Sequence, residues 1–377
     1  MNNKLYVAGW ACDMDDHGYI WMSHFGINGF FKYNIQKDML EYAGRFEGVP
    51  SDKELIHSEL FCLNDKVFFN TIIDGKGYVY DISLEKMMII RMPSKPGVQM
   101  EMIFKCDKDA YARLSDNSIY RIDRSTLELT YCDDISNVVN DYSKMLDVNP
   151  IGGSAYSEGH YGIYQYKGNM CCIYRNHLRI INLQNGEYRD VVLPDNKVFQ
   201  LFFNNDELWY THHYDTNIIC YDILSGDHIT YDGHLVEYRE GISENARVRP
   251  YSYLCFSDDD VIIPGYRAKG FYKIDKANRI VDKWTAIEDS TELNEWNGND
   301  LHPHYLNMFR YMDELICVPN SNKKLIKYNI KTGDVIYRDF SIAFDKIPDF
   351  LIETYKGGIA NERVYSLDSF IEAVKRM

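Results

Sequence analysis

No stretch of the 377-residue chain approaches the ~18 consecutive apolar residues that a helix needs to cross a bilayer. The apolar run at 5–12 follows a single Lys4 and is too short for a secretory leader. Within it, Gly9-Trp10-Ala11-Cys12 lacks the aliphatic residue that a lipoprotein cleavage site carries three places before its Cys, so the run reads as one β-strand. Basic residues are outnumbered, 41 against 56, for a net charge of −15. That excludes nucleic acid as the main partner, because phosphate neutralisation needs clustered Lys and Arg. It also disfavours an anionic membrane surface. There is no phosphate-cradling glycine loop, no G-x-S-x-G elbow and no cysteine in a recognisable nucleophile setting. The nine cysteines include no C-x-x-C pair. An odd count in strand-like apolar runs reads as buried free thiols in a reducing cytoplasm.

What is present is β structure and repetition. Aromatics make up 14% of the chain, with 31 Tyr, which favours strands. Seven segments share one pattern: an apolar-rich strand ending in Asn or Asp, an aliphatic residue, a short polar turn, and a second strand, as in IICYDILSGDHITY and LIKYNIKTGDVIYR. The marker residues are Asn34, Asp81, Asp123, Asn182, Asp222, Asp275 and Asn329. Asn185-Gly186, Ser225-Gly226 and Thr332-Gly333 supply the positive φ that such hairpins need. Upstream of the outer hairpins lie others with Asp-rich turns, such as LFFNNDELWYT and MFRYMDELICV. Each unit therefore holds four short strands, A to D.

Four strands per unit and seven units with a period near 50 residues predict an all-β fold, a seven-bladed β-propeller of four-stranded antiparallel blades. Radial packing buries both faces of sheets that alone would leave them exposed. The chain resembles propellers of the quinoprotein-like and YVTN-like type, whose outer hairpins read Y-x-I-D-x-x-T-G. The resemblance implies fold and carries no chemistry. The G-H and W-D pairs of WD repeats, the Gly-Gly doublets of kelch blades, the sialidase box and the recurring Trp pattern of true quinoproteins are absent.

Two stretches depart from the repeat. Ile135, Val138, Val139, Tyr142 and Leu146 follow Asp134 at helical spacing, predicting a short helical insert at about 133–148. At the other end Ser366 can cap a C-terminal helix bearing Leu367, Phe370, Ile371 and Val374. A strand over 350–355 is expected before it, and whether that strand helps to close the ring is open. The expected organisation is a propeller over 1–345 with a strand or helix tail over 346–377 packed on it.

In such a fold the A–B and C–D turns lie on one face and the B–C and D–A connections on the other. The first set is tight. The second includes long segments at 43–57, 132–161, 233–250 and 286–304. Functional residues concentrate on loops held by a rigid scaffold. His24 follows strand B of the first blade. His212, His213 and Tyr214 hold the corresponding place in the fifth, Arg175 and His177 in the fourth, and Tyr266 and Arg267 in the sixth. Trp296, His302 and His304 sit on a D–A connection. The candidate ligand-binding set is His24, Arg175, His212, His213, Tyr214, Arg267, Trp296, His302 and His304.

Each feature has a functional and a plain structural reading. His302-Pro303-His304 with His212 has metal-ligand types, but also reads as loop histidines around a strand-starting Pro, and no metal or cofactor is expected. His212, His213, His304, Glu295 and Asp300 are the types used in general acid–base catalysis, although no spacing enforces it. Trp21, Tyr214, Tyr266 and Trp296 suit stacking on a sugar or peptide, or packing between blades. Ser257-Asp258-Asp259-Asp260 lacks the alternating spacing of a calcium loop and reads as a solvated turn. The expected function is a non-catalytic, cytoplasmic, monomeric recognition or scaffold propeller binding a protein, peptide or glycan at its loop-rich face. The alternative is a lyase or hydrolase acting on a carbohydrate-like or small polar substrate in the central funnel.

Overall fold

The computed structural model describes residues 3–46, 57–71, 75–145, 161–238, 250–287 and 305–356, except positions 8, 25, 26, 196, 197, 213, 252, 258, 259 and 321–323. Seven four-stranded antiparallel sheets span 9–44, 57–89, 100–131, 161–192, 198–231, 255–284 and 305–339, each with its strands paired in chain order. This is the blade arrangement of a seven-bladed β-propeller. Blades 2 to 5 form one compact unit; blades 1, 6 and 7 form another, which includes the B–C connection Tyr214–Asn217 of blade 5.

The seven marker residues do one job. The side-chain oxygen of Asn34, Asp81, Asp123, Asn182, Asp222, Asp275 or Asn329 accepts backbone N–H groups two or three residues on, at 2.7–3.0 Å. Such an Asx turn satisfies donors that the hairpin leaves unpaired. Four residues after every marker the chain enters the left-handed region, at Asp38, Glu85, Leu127, Gly186, Gly226, Arg279 and Gly333. The glycines do so at no steric cost. The other four residues carry the strain that three glycines avoid. In blades 3, 4, 5 and 7 the marker exchanges backbone hydrogen bonds with the residues four and five places on, which closes the hairpin as a G1-type bulge. These turns set the C–D register, and the register sets which side chains face the neighbouring blade.

Packing follows. In one unit Phe61, Phe68 and Val79 of blade 2 pack with Ile103, Ala112 and Tyr120 of blade 3. Cys171, Ile173 and Ile180 of blade 4 pack with Leu201, Tyr210 and Ile219 of blade 5. The predicted insert is a helix, α1 (Asp133–Met145), with Asp133 and Asp134 in its first turn and Lys144 in its last. Its Ile135, Val139 and Tyr142 seal the junction of blades 3 and 4. All nine cysteines are free thiols, seven of them buried. Burial pushes the Cys106 and Cys255 thiols up to about 12, so both behave as small apolar groups.

Two expectations are corrected. The run at 5–12 is not one strand. Lys4–Tyr6 pairs with Ser341–Ala343, whereas Gly9–Met14 is strand A of blade 1. The strand expected at 350–355 is instead helical, α2 (Asp349–Lys356), with Leu351 buried beside Phe31 and Phe340. Asp349 opens its first turn directly after Pro348, a helix start that outweighs the strand propensity of the short apolar run. The proposed helix from Ser366 lies outside the described residues.

Candidate functional site

Strand B is the element that brings chemistry to the B–C end of a blade. In six blades it has six residues: Tyr19–His24, Lys66–Thr71, Asp109–Leu114, Asn169–Tyr174, Glu207–His212 and Glu314–Pro319. Aligned, their fifth positions are Ser23, Asn70, Arg113, Ile173, Thr211 and Val318. Four of the six are polar, and all four are buried. Strand periodicity places the fifth residue on the side of the first and third, where the third is Trp21, Phe68, Tyr111, Cys171, Trp209 or Ile316. A polar side chain buried beside those third residues costs free energy unless something answers it.

In blade 3 the answer is an ion pair. A β-bulge between Met100 and Met102 of strand A leaves Glu101 out of register and re-aims its side chain. Arg113 Nη2 donates to Glu101 Oε2 at 3.0 Å, and Arg113 is only 3% exposed. The Asn70 side-chain amide donates to the Glu101 carbonyl at 2.8 Å and so joins blade 2 to the same bulge. Burial raises the Glu101 carboxyl above its usual range, against the pull of the Arg113 charge.

In blade 5 a second bulge lies between Val198 and Gln200. Thr211 stands opposite Gln200 there, and neither the Thr211 hydroxyl nor the Gln200 carbonyl oxygen has a hydrogen-bond partner among the described residues. His212, beside Thr211, is buried, with Nε2 3.1 Å from Asp195 Oδ2. The Tyr210 hydroxyl donates to the same oxygen at 3.4 Å. Burial, and then the Asp195 charge, push the Tyr210 phenol well up, so it stays protonated and donating. A carboxylate on Nε2 fixes the imidazole's tautomer and orientation. The pair has the composition of a general acid–base dyad.

The other expected residues take varied places. His24 is buried, with Nε2 3.3 Å from the Tyr6 carbonyl and its ring 6.2 Å from that of Phe31, so it ties Lys4–Tyr6 to blade 1. Arg175 is exposed at positive φ in the two-residue B–C turn of blade 4. Tyr214 is exposed. Arg267 is buried in the B–C connection of blade 6, where burial lowers the guanidinium's affinity for its proton. His213, Trp296, His302 and His304 lie outside the described residues, as do Glu295 and Asp300. Among the described residues no group of three or more His, Cys, Asp or Glu is placed to hold a metal ion. No helix there is long and apolar enough to cross a membrane.

Asp195, Tyr210, Glu101, Arg113 and Asn70 were not singled out from sequence. A signal for two of them exists: writing the six B strands beneath one another shows the polar column. Nothing comparable marks Asp195, which a D–A connection delivers from 17 residues away.

No protein-family model matches the chain, and no curated protein matches it in sequence. Solved structures do match in fold. Virginiamycin B lyase from Staphylococcus aureus aligns with a TM-score of 0.55 at 12% identity, covering 84% of this chain and 94% of that one. YCF48 from Cyanidioschyzon merolae aligns with a TM-score of 0.59 at 11% identity, covering 87% and 97%. YCF48 bound to D1 peptide aligns at 0.57 and 10%, covering 86% and 94%. Likeness at this identity shows a shared propeller fold, one that carries a lyase in one case and a peptide-binding protein in another.

Proposed function

We propose that the protein is a non-catalytic recognition propeller that binds a peptide or protein segment at the B–C and D–A ends of its blades. The observation that carries this reading is the buried polar column Ser23, Asn70, Arg113 and Thr211. Blades 4 and 7 place Ile173 and Val318 at the same position, so the fold itself has no need of polarity there. An unanswered buried polar group costs about 1–3 kcal/mol. Asn70 and Arg113 are answered within the fold, but the Ser23 and Thr211 hydroxyls have no partner among the described residues, and a ligand whose backbone or side chains complete their hydrogen bonds explains why they are kept. The peptide-bound YCF48 structure supports the reading at the level of the fold. In this reading residues 1–345 are the recognition propeller, 346–377 a tail packed on it, and the protein works as a cytoplasmic monomer.

The test is selection of a displayed random peptide library on the purified protein, followed by affinity measurement on the enriched peptides. Thr211→Val and Asn70→Val should weaken them roughly tenfold, and Gly333→Ala, at the other end of blade 7, should not. Failure to enrich any peptide, or equal effects of all three variants, overturns the proposal.

One observation favours a second reading. The buried His212–Asp195 pair suits a lyase or hydrolase in which the imidazole moves a proton. Streptogramin B, the substrate named for one structural neighbour, is the first compound to offer. Its loss, followed by mass spectrometry and abolished in His212→Asn, would establish the catalytic reading; its persistence with the wild-type chain leaves the recognition reading in place.

A further inference from the structure

At the opposite ends of the blades, the A–B turn of blade 2 and the C–D turn of blade 3 flank a cleft of about 400 Å³. Its floor is electrically closed. Lys66 Nζ lies 2.6 Å from Asp81 Oδ2 and 3.5 Å from Asp65 Oδ2. Burial alone would raise the Asp81 carboxyl. Hydrogen bonds from Lys66 and from the Leu84 and Ser83 N–H groups outweigh it and hold Asp81 ionised below its usual range. Lys66 is therefore fully answered.

Arg124, on the wall contributed by blade 3, is not. It forms no ion pair with any carboxylate among the described residues, in a chain with 56 acidic and 41 basic side chains. The adjacent Asp123 carboxylate is turned into its own hairpin, 2.8 Å from the Ser125 and Thr126 N–H groups. Ser125 follows Arg124 in the lining, and blade 2 adds Met88 and the exposed Leu84 to it. The cleft thus presents one half-buried cation next to an aliphatic strip.

We infer that this cleft binds a short acidic peptide segment. A Glu or Asp carboxylate of the peptide pairs with Arg124, and an aliphatic side chain nearby packs on Leu84 and Met88. A guanidinium binds a carboxylate through two parallel N–H···O bonds. A polyphosphate does not fit, because it needs a second cation, and Lys66 is already held by Asp81 and Asp65, whereas a single carboxylate needs Arg124 alone. The volume accommodates two or three residues.

The probes are fluorescein-labelled Leu-Glu-Leu-Glu amide and its Leu-Gln-Leu-Gln counterpart, titrated against the full chain by anisotropy. The acidic peptide should bind roughly tenfold or more tightly than the neutral one. Arg124→Glu should remove that preference, and Leu84→Asp should weaken binding by about fivefold. Arg121→Glu is the control, since Arg121 is exposed on strand C of the same blade, 3.9 Å from Asp109. Arg124→Gln and the melting temperature of each variant separate loss of the site from loss of the fold. Equal binding of the two peptides, no saturation up to about 1 mM, or equal losses in the variants at 121 and 124 would overturn the inference.

Discussion

At the C–D turns of the blades, the seven marker side chains serve their own hairpins. At the B–C ends, by contrast, polar side chains are buried inside strands. Asp222 spends its carboxylate on Leu224 and Ser225 of the same hairpin. Arg113 reaches across a bulge to Glu101, and Thr211 faces Gln200 with no hydrogen-bond partner for its hydroxyl among the described residues. The first arrangement repeats in all seven blades, because it is local and self-sufficient. The second differs from blade to blade, as a binding surface must if it is to tell one partner from another. Repetition marks the scaffold here, and departure from it marks the surface proposed for recognition.

The sharpest way to break this comparison is Arg113→Ala. It leaves Glu101 half-buried without its cation and should lower stability by about 2–3 kcal/mol at neutral pH. Glu101 already holds its proton more tightly in the folded chain than an ordinary glutamate. The unfolded chain therefore releases that proton at lower pH, and stability falls as pH rises above the usual Glu range. The variant widens this window, so denaturant melts at pH 4.5 and pH 7 should differ more than they do for wild type. A loss independent of pH would show that Arg113 acts through packing alone.

At the opposite end, Asn329→Ala removes two turn hydrogen bonds and should cost about 1 kcal/mol. Gly333→Ala in the same hairpin tests the dihedral by itself, since a Cβ there meets no atom within 4 Å. It should cost about 1 kcal/mol from the left-handed φ alone. The turn carboxylates also titrate. Backbone hydrogen bonds hold Asp222 and Asp275 below their usual range. Their contribution is complete above the ordinary Asp value and is lost as pH falls through the lowered one. Asp222→Asn should flatten the acid limb of the stability curve.

Thr211→Val reverses the sign. It deletes a buried hydroxyl that has no partner among the described residues and should raise stability by up to about 1 kcal/mol while weakening any ligand at the B–C end. The smallest expected effect is Arg279→Gly. It relieves a left-handed non-glycine residue but adds freedom to the unfolded chain, for a net gain of about 0.5 kcal/mol. Thermal melts of these two variants separate stability bought for the scaffold from stability given up at the site.

Much of the fold was legible because its rules are local. Asn34 to Asn329 announce their hairpins within five residues, and Ile135 to Tyr142 carry helical spacing in a single stretch. The site was legible only in part. His212 could be placed at the end of strand B from the repeat, but Asp195 reaches it through a connection whose path no spacing encodes. Glu101 meets Arg113 because a bulge shifts the register, and a bulge leaves no mark in MEMIFKC. Leu5 and Cys12 looked like parts of one strand because both are apolar; their separation into two sheets depends on Ser341–Ala343, more than 300 residues away.

That distant pairing has a consequence for synthesis. Ile20, Met22 and Phe31 of blade 1 are covered in part by Phe340, Ile342 and Leu351. A ribosome adding about 5–20 residues per second emits the cover roughly 15–60 s after the blade it protects. During that interval the first blade emerges with bare apolar surface and an unpaired strand at Lys4–Tyr6. Until Ser341–Ala343 docks, the nascent chain therefore carries apolar surface of the kind that makes unfinished chains prone to aggregate.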